Sequence, residues 1–222
     1  MVKIWVKLNL GLGEGFSVFG DWFQIRFTEN RGMAFGVELG GDWGKLILSL
    51  FRIVVVSVMA YFITKLVRQK ASYLLLGCLA LIFSGAVGNI LDSIFYGVLF
   101  SDCGTFHQPV LATFMPEEGG YAPVLFGKVV DMLYFPMYEG YWPEWVPFVG
   151  GDNLLFFRPI FNVADSAISI GVFMALIFFR RFQRELELES AAEAAAPATE
   201  PAVPTGLEVP ATAPLDTDAP SA

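Results

Sequence analysis

Three long apolar runs divide the chain, at residues 46–64 (LILSLFRIVVVSVMAYFIT), 73–91 (YLLLGCLALIFSGAVGNIL) and 160–179. Each is about 20 residues, or roughly 30 Å of helix, which is enough to cross the hydrocarbon core of a bilayer. Residues 1–45 hold no complete span of this kind. There DWFQIRFT sets Trp22, Gln24, Arg26 and Thr28 against Phe23, Ile25 and Phe27, the period-two pattern of a half-buried strand. The next stretch, residues 29–36 (ENRGMAFG), is expected to turn, with Asn30 and Gly32 supplying side-chain capping and backbone freedom. Either the stretch is a plain hairpin turn or Asn30 points its carboxamide at a substrate backbone. Residues 92–159, between the second and third runs, are rich in Phe, Tyr, Trp and Pro and are expected to fold onto the membrane surface with their rings at headgroup level. Within them, GKVVDMLYF places Asp131 in a short β-prone apolar run.

Composition agrees with a membrane protein: mean hydropathy is +0.57, 55% of residues are hydrophobic and 16% charged. The net charge of -8 belongs to one end. Eight of the 22 acidic residues follow position 184, where no basic residue occurs, so the first 184 residues are balanced. Residues 185–222, rich in Ala and Pro and without apolar periodicity, are expected to be a disordered acidic tail on the cytoplasmic side. Lys65, Arg68 and Lys70 follow the first span and Arg180, Arg181 and Arg184 the third, so both clusters fall on the cytoplasmic side if three spans alternate. That puts residues 92–159 outside, together with residues 1–45. Exporting a leader that carries Lys3, Lys7, Arg26, Arg31 and Lys45 calls for a further helix ahead of Met1, with MVKIWVK as its outer end and Trp5 at the interface.

Candidate chemistry is carboxylate chemistry. Cys78 and Cys103 lack metal-ligand company, and the single histidine, His107, makes a His-based zinc site or a Ser-His-Asp triad improbable. Asp165 lies about five residues into the third run, in FNVADSAISIG. An ionised carboxylate there costs on the order of 2.5–3.5 kcal/mol at mid-bilayer and less near the surface. Asn162, three residues earlier, is expected on the same helical face, and Ala164, Ala167 and Gly171 permit close helix approach. In the second run GAVGNILD sets Asn89 and Asp92 three apart behind Gly85 and Gly88. Arg52 either snorkels outward or pairs with Asp92, which otherwise is hydrated at a helix end. Asp131 is either a solvated strand edge or faces inward toward Asp165. Two carboxylates held together share a proton, and so supply an acid and a base without metal or histidine. The same residues would also serve an ion or proton translocator, and the aromatic outer segment a scaffold subunit.

Taken in order among apolar spans, NRGMAFG, GAVGNILD, GKVVDMLYF and FNVADSAISIG resemble the lipoprotein signal peptidase (signal peptidase II) family over roughly residues 3–180. The resemblance implies an all-α polytopic bacterial inner-membrane enzyme with a small β-cradle on the outer face. On that resemblance three of four transmembrane helices are expected here, with a fourth expected ahead of Met1. Residues 1–184 would form the membrane-embedded peptidase domain. The activity implied is an intramembrane aspartyl endopeptidase that removes signal peptides from prolipoproteins, cutting before a diacylglyceryl-modified cysteine. It would act as a monomer in contact with membrane lipid, with no cofactor, metal or nucleic acid. By motif, the catalytic aspartates fall on Asp131 and Asp165, and Asn30, Asn89, Asp92 and Asn162 match the polar residues around the site. Lys3 matches a family lysine whose neighbouring Asp-Gln pair is absent. Ser93 stands where the family commonly has Arg after the Asp, so Arg52 is expected to supply the guanidinium for Asp92. The segment between Asp92 and Asp131 is longer than is usual, as an extra lid or a partner surface.

Overall fold

The computed structural model describes residues 1–31 and 41–195; Gly32 with the rest of the expected turn, and most of the acidic tail, lie outside them. In chain order the elements are α1 (Val2–Asn9), β1 (Gly15–Phe19), β2 (Phe23–Asn30), α2 (Gly41–Arg68), α3 (Tyr73–Leu99), β3 (Gly104–Thr105), β4 (Gln108–Pro109), β5 (Val129–Tyr134), β6 (Tyr138–Tyr141), β7 (Asn153–Phe156), β8 (Ile160–Phe161), α4 (Val163–Ile177) and α5 (Phe179–Ala195).

Among the described residues two helices, α2 and α3, are each long and apolar enough to cross a membrane. Lys65 and Arg68 occupy the last turn of α2, where cations suit the negative end of the helix dipole, and Lys70 then reverses the chain at φ 58°. Ser72 caps α3, its side chain accepting from the Leu75 N–H at 3.4 Å. α3 runs two turns beyond the expected span, because the apolar residues of IFYGVL continue it to Leu99. Asp92 therefore lies inside a helix rather than at its end.

The third apolar run is divided. Ile160 and Phe161 pair with β5 as a strand, Asn162 caps α4, and α5 departs at a bend of 67°. The expected single span over 160–179 is thus a strand, a helix and a bend, and α4 with the start of α5 passes as at most one broken span. Helix also persists to Ala195, past the boundary expected at position 184, since Glu, Leu and Ala are strong helix formers.

β1, β2, β5 and β8 form an antiparallel sheet in that order. The alternation of DWFQIRFT is realised in β2, which buries Phe27 and exposes Arg26. Glu29 and Asn30, expected in a turn, continue that strand opposite Val130 and Val129. Val6 of α1, Phe27, Val130, Met132 and Phe100 share one core. Beside the sheet, α3 and α4 approach backbone to backbone. A Cβ on Gly85 would sit 2.3 Å from the Ala164 carbonyl oxygen, and one on Gly171 2.7 Å from that of Cys78. This is the close contact that small residues allow.

The long segment after α3 is strapped to that helix, with Ala122 N–H donating to Gly97 O at 3.0 Å and Gly127 N–H to Ser93 O at 2.9 Å. It carries exposed His107 and buried Cys103, a free thiol like Cys78. The β6–β7 hairpin then presents exposed Trp145 and Phe148 at its tip.

Candidate active site

Asn162 is the joint of the site. The sequence Asn162-Val-Ala-Asp165 forms a capping box: the Asn162 side-chain oxygen accepts from the N–H groups of Ala164 (2.8 Å) and Asp165 (3.2 Å), while Asp165 Oδ2 accepts from the Asn162 N–H at 3.0 Å. Asn162 is therefore not on the helical face beside Asp165, as expected from an unbroken helix, but at its N-cap. Its Nδ2 is left to point away, and donates to Asp131 Oδ1 at 2.6 Å and to Asn89 Oδ1 at 3.1 Å. Asn89 in turn donates from Nδ2 to Asp165 Oδ1 at 2.8 Å. Two carboxylates, 34 positions apart in the sequence, are thus held by one pair of carboxamides.

β5 supplies Asp131 opposite Thr28 of β2, and the side chain is 4% exposed. It faces inward, which decides between the two orientations open to it from sequence. Its carboxyl is pushed up to about 6, chiefly by burial and then by the Asp165 charge, against the pull of the Asn162 hydrogen bond, of Lys3 and of a hydrogen bond from Asn30. Asn30, at the end of β2, therefore touches Asp131.

Asp92 is buried too, at 3% exposure. Its counter-ion is Lys3, at 2.6 Å, not the Arg52 guanidinium expected from the Ser93 departure. Tyr96 and the Val130 N–H (3.3 Å) complete its hydrogen bonds. Lys3 also donates to Asn89 Oδ1 at 2.8 Å, so α1 and α3 together orient the carboxamide that reaches Asp165. Arg52 lies instead within electrostatic reach of Asp165 and Asp131, and Lys45 donates to Ser93 Oγ at 3.3 Å. An apolar groove of 620 Å³ opens between α1, α3 and α4, lined among others by Lys3, Gly85, Gly88, Asp92 and Ala164. Among the described residues no group of three or more His, Cys, Asp or Glu side chains is gathered as metal ligands are.

Asn30, Arg52, Asn89, Asp92, Asp131, Asn162 and Asp165 thus lie in or around one cluster. Lys3 is the contributor for which no role was expected; its signals were the match to a family lysine and its place amid the apolar residues of VKIWV. The arrangement offers a buried carboxyl beside a less buried one, which is the composition of an acid–base pair.

Comparison with known proteins agrees. A model of the signal peptidase (SPase) II family matches residues 1–181. The lipoprotein signal peptidase of Porphyromonas gingivalis is 51% identical over 182 residues, covering 82% of this chain and 77% of that protein. That of Amoebophilus asiaticus is 33% identical over 180 residues, covering 80% and 70%. A solved bacterial membrane enzyme shares the fold at a TM-score of 0.50 and 22% identity, over 81% of this chain and 79% of its own. With nearly all of the described body matched and the family's acidic and amide motifs meeting in one cluster, the chain belongs to the signal peptidase II family.

Proposed function

We propose that Asp131 and Asp165 are the catalytic pair of this chain, an aspartic-type peptidase that removes signal peptides from prolipoproteins. The observation that carries the assignment is the Asn162 side chain, which holds Asp131 through Nδ2 while its own backbone N–H holds Asp165. The ionised carboxylate takes a proton from water as that water attacks the scissile carbonyl, and the protonated carboxyl donates to the carbonyl oxygen. As the C–N bond then breaks, the proton taken from water passes to the leaving amine and a diol hydroxyl returns its proton to the other carboxyl, which restores the pair. Asn89 and Asn162 fix the carboxylates, Asn30 hydrogen-bonds Asp131 from the end of β2, Lys3 with Asp92 fixes Asn89, and Arg52 adds positive potential over both acids. Bound substrate displaces water and so favours the protonated form of Asp131.

Counting the bent pair α4–α5 as a third span, the basic residues after α2 and after α4 face the cytoplasm of a bacterial cell, and the dyad opens at the outer surface of the inner membrane. The apolar groove beside Lys3 and Gly88 takes the apolar part of the substrate from the bilayer, where each buried CH₂ of a lipid chain contributes about 0.8 kcal/mol. Cleavage falls before a diacylglyceryl-modified cysteine, by a monomer whose peptidase body is residues 1–184.

The test is cleavage of a diacylglyceryl-cysteine prolipoprotein peptide by purified protein. Wild type is expected to release the signal peptide, and Asp131→Asn and Asp165→Asn each to lose about 10²–10⁴-fold in rate. A wild-type rate in either variant would contradict the assignment.

A further inference from the structure

Outside the dyad the structure buries a second charged cluster. Lys7 is fully buried and ion-paired with Glu29, which is itself almost wholly buried. The Lys7 ammonium lies 5.5 Å from the Phe100 ring centre, 5.1 Å from that of Tyr121, and 3.0 Å from Cys103 Sγ. The other Glu29 oxygen takes Lys128 at 2.9 Å, and Lys128 is 3.6 Å from Asp102. None of these groups touches Asp131 or Asp165 through the contacts described above.

Two placements give the cluster a meaning. Lys7 is four residues beyond Lys3 on α1, so both lysines project from one face of the same helix, about 6 Å apart along its axis. Glu29 lies on β2 between Thr28, opposite Asp131, and Asn30. α1 is anchored at one lysine to β2 and reaches with the other to Asn89 and Asp92.

We infer that the Lys7–Glu29 ion pair is a positioning element of the active site, which sets the depth of α1 and with it the contact of Lys3 with Asn89 and Asp92. The inference rests on the dyad assignment, for only then is Asn89 a catalytic support. Lys7 and Glu29 act through Lys3 and do not meet substrate. The groups facing Asp131 are Asp165 of α4, Lys3 of α1, Arg52 of α2, Asn30 of β2 and Asn162; of these Lys3 is tied to the buried pair through α1 and Asn30 through β2, so the cycle is run on Lys3 to separate the two routes.

The experiment is a double-mutant cycle on cleavage of the lipidated peptide. Lys7→Met combined with Glu29→Gln removes both charges together and leaves Lys128 with Asp102 as its partner. It is expected to lower kcat by about 10- to 100-fold, the size of effect an ångström of displacement produces, with KM unchanged. The acidic limb of the pH–rate profile should move upward as Lys3 withdraws from Asp131. In a Lys3→Met background the same pair of changes should cost nothing further, whereas independent sites would add. Glu29→Asp, which keeps both charges and retracts the carboxylate by one methylene, runs the same cycle if the charge-free variant does not fold. Additive losses, or a loss confined to melting temperature with kcat and the pH profile intact, overturn the inference. Activity retained in Asp131→Asn would instead strike the dyad assignment, so the two failures are distinct.

Discussion

Each polar atom of the Asn162 side chain is committed, the oxygen to the first turn of α4 and the amide nitrogen to Asp131 and Asn89. Asn162→Asp keeps a good N-cap, worth about 1 kcal/mol over Ala, but removes the amide donor of residue 162 and sets a third carboxylate against Asp131. Cleavage should fall at least tenfold while thermal stability changes by less than about 1 kcal/mol, measured by peptide assay and melting in detergent. Asp131 itself yields a prediction with a sign. Its carboxyl is raised to about 6 in the fold, against about 3.9 in an unfolded chain. The folded form therefore binds the extra proton between those values, and the stabilisation this brings is complete below about pH 4 and lost as pH rises through 6. Asp131→Asn, which does not titrate, should match wild type in melting near pH 4 and be more stable at pH 7 by on the order of 3 kcal/mol, although inactive. Equal melting at both pH values would count against a buried, raised carboxyl.

At the scale of elements, the glycines of α3 separate contact from exposure. Gly85 meets the Ala164 carbonyl, whereas Gly77 on the same helix has nothing within 4 Å of an added Cβ. Gly85→Ala should therefore force α3 from α4, costing about 1–3 kcal/mol and lengthening the Asn89–Asp165 hydrogen bond. Gly77→Ala should be neutral or stabilising by up to ~1 kcal/mol, with full activity. Melting curves and cleavage rates of the two variants read the difference. Elements whose pattern was set by their own neighbours were legible in the sequence: the apolar cores of α2 and α3, the alternation of β2, and the β-prone run holding Asp131. The break before α4 was misread because Ile160 and Phe161 are as apolar as a helix, and only their pairing with β5 makes them a strand. The pattern Asn162-x-x-Asp165 did carry the signal, being a capping box written with Asn and Asp. Lys3 as the partner of Asp92 was not legible, since 89 positions separate the two and Arg52 offered an equally good charge from a nearer segment.

Across the whole molecule, the carboxylates meet because three units converge: the antiparallel sheet carries Asp131 and Asn30, the α3–α4 pair carries Asn89 and Asp165, and α1 lays Lys3 across their junction. The strap between α3 and β5 closes against the end of α3, where Gly127 leaves no room for a side chain beside the Asp92 carbonyl. Signal peptidase chemistry in this chain is therefore a property of how these units meet. That Asp131 and Asp165 work as one acid–base unit is tested most directly by ¹³C NMR titration of the aspartate carboxyl groups, with the Asp131 signal assigned by its loss in Asp131→Asn. A midpoint at about 6 in wild type that falls toward the ordinary carboxylate range in Asp165→Asn is the result expected. A midpoint near 4 in wild type, or one indifferent to the loss of the Asp165 charge, would contradict it.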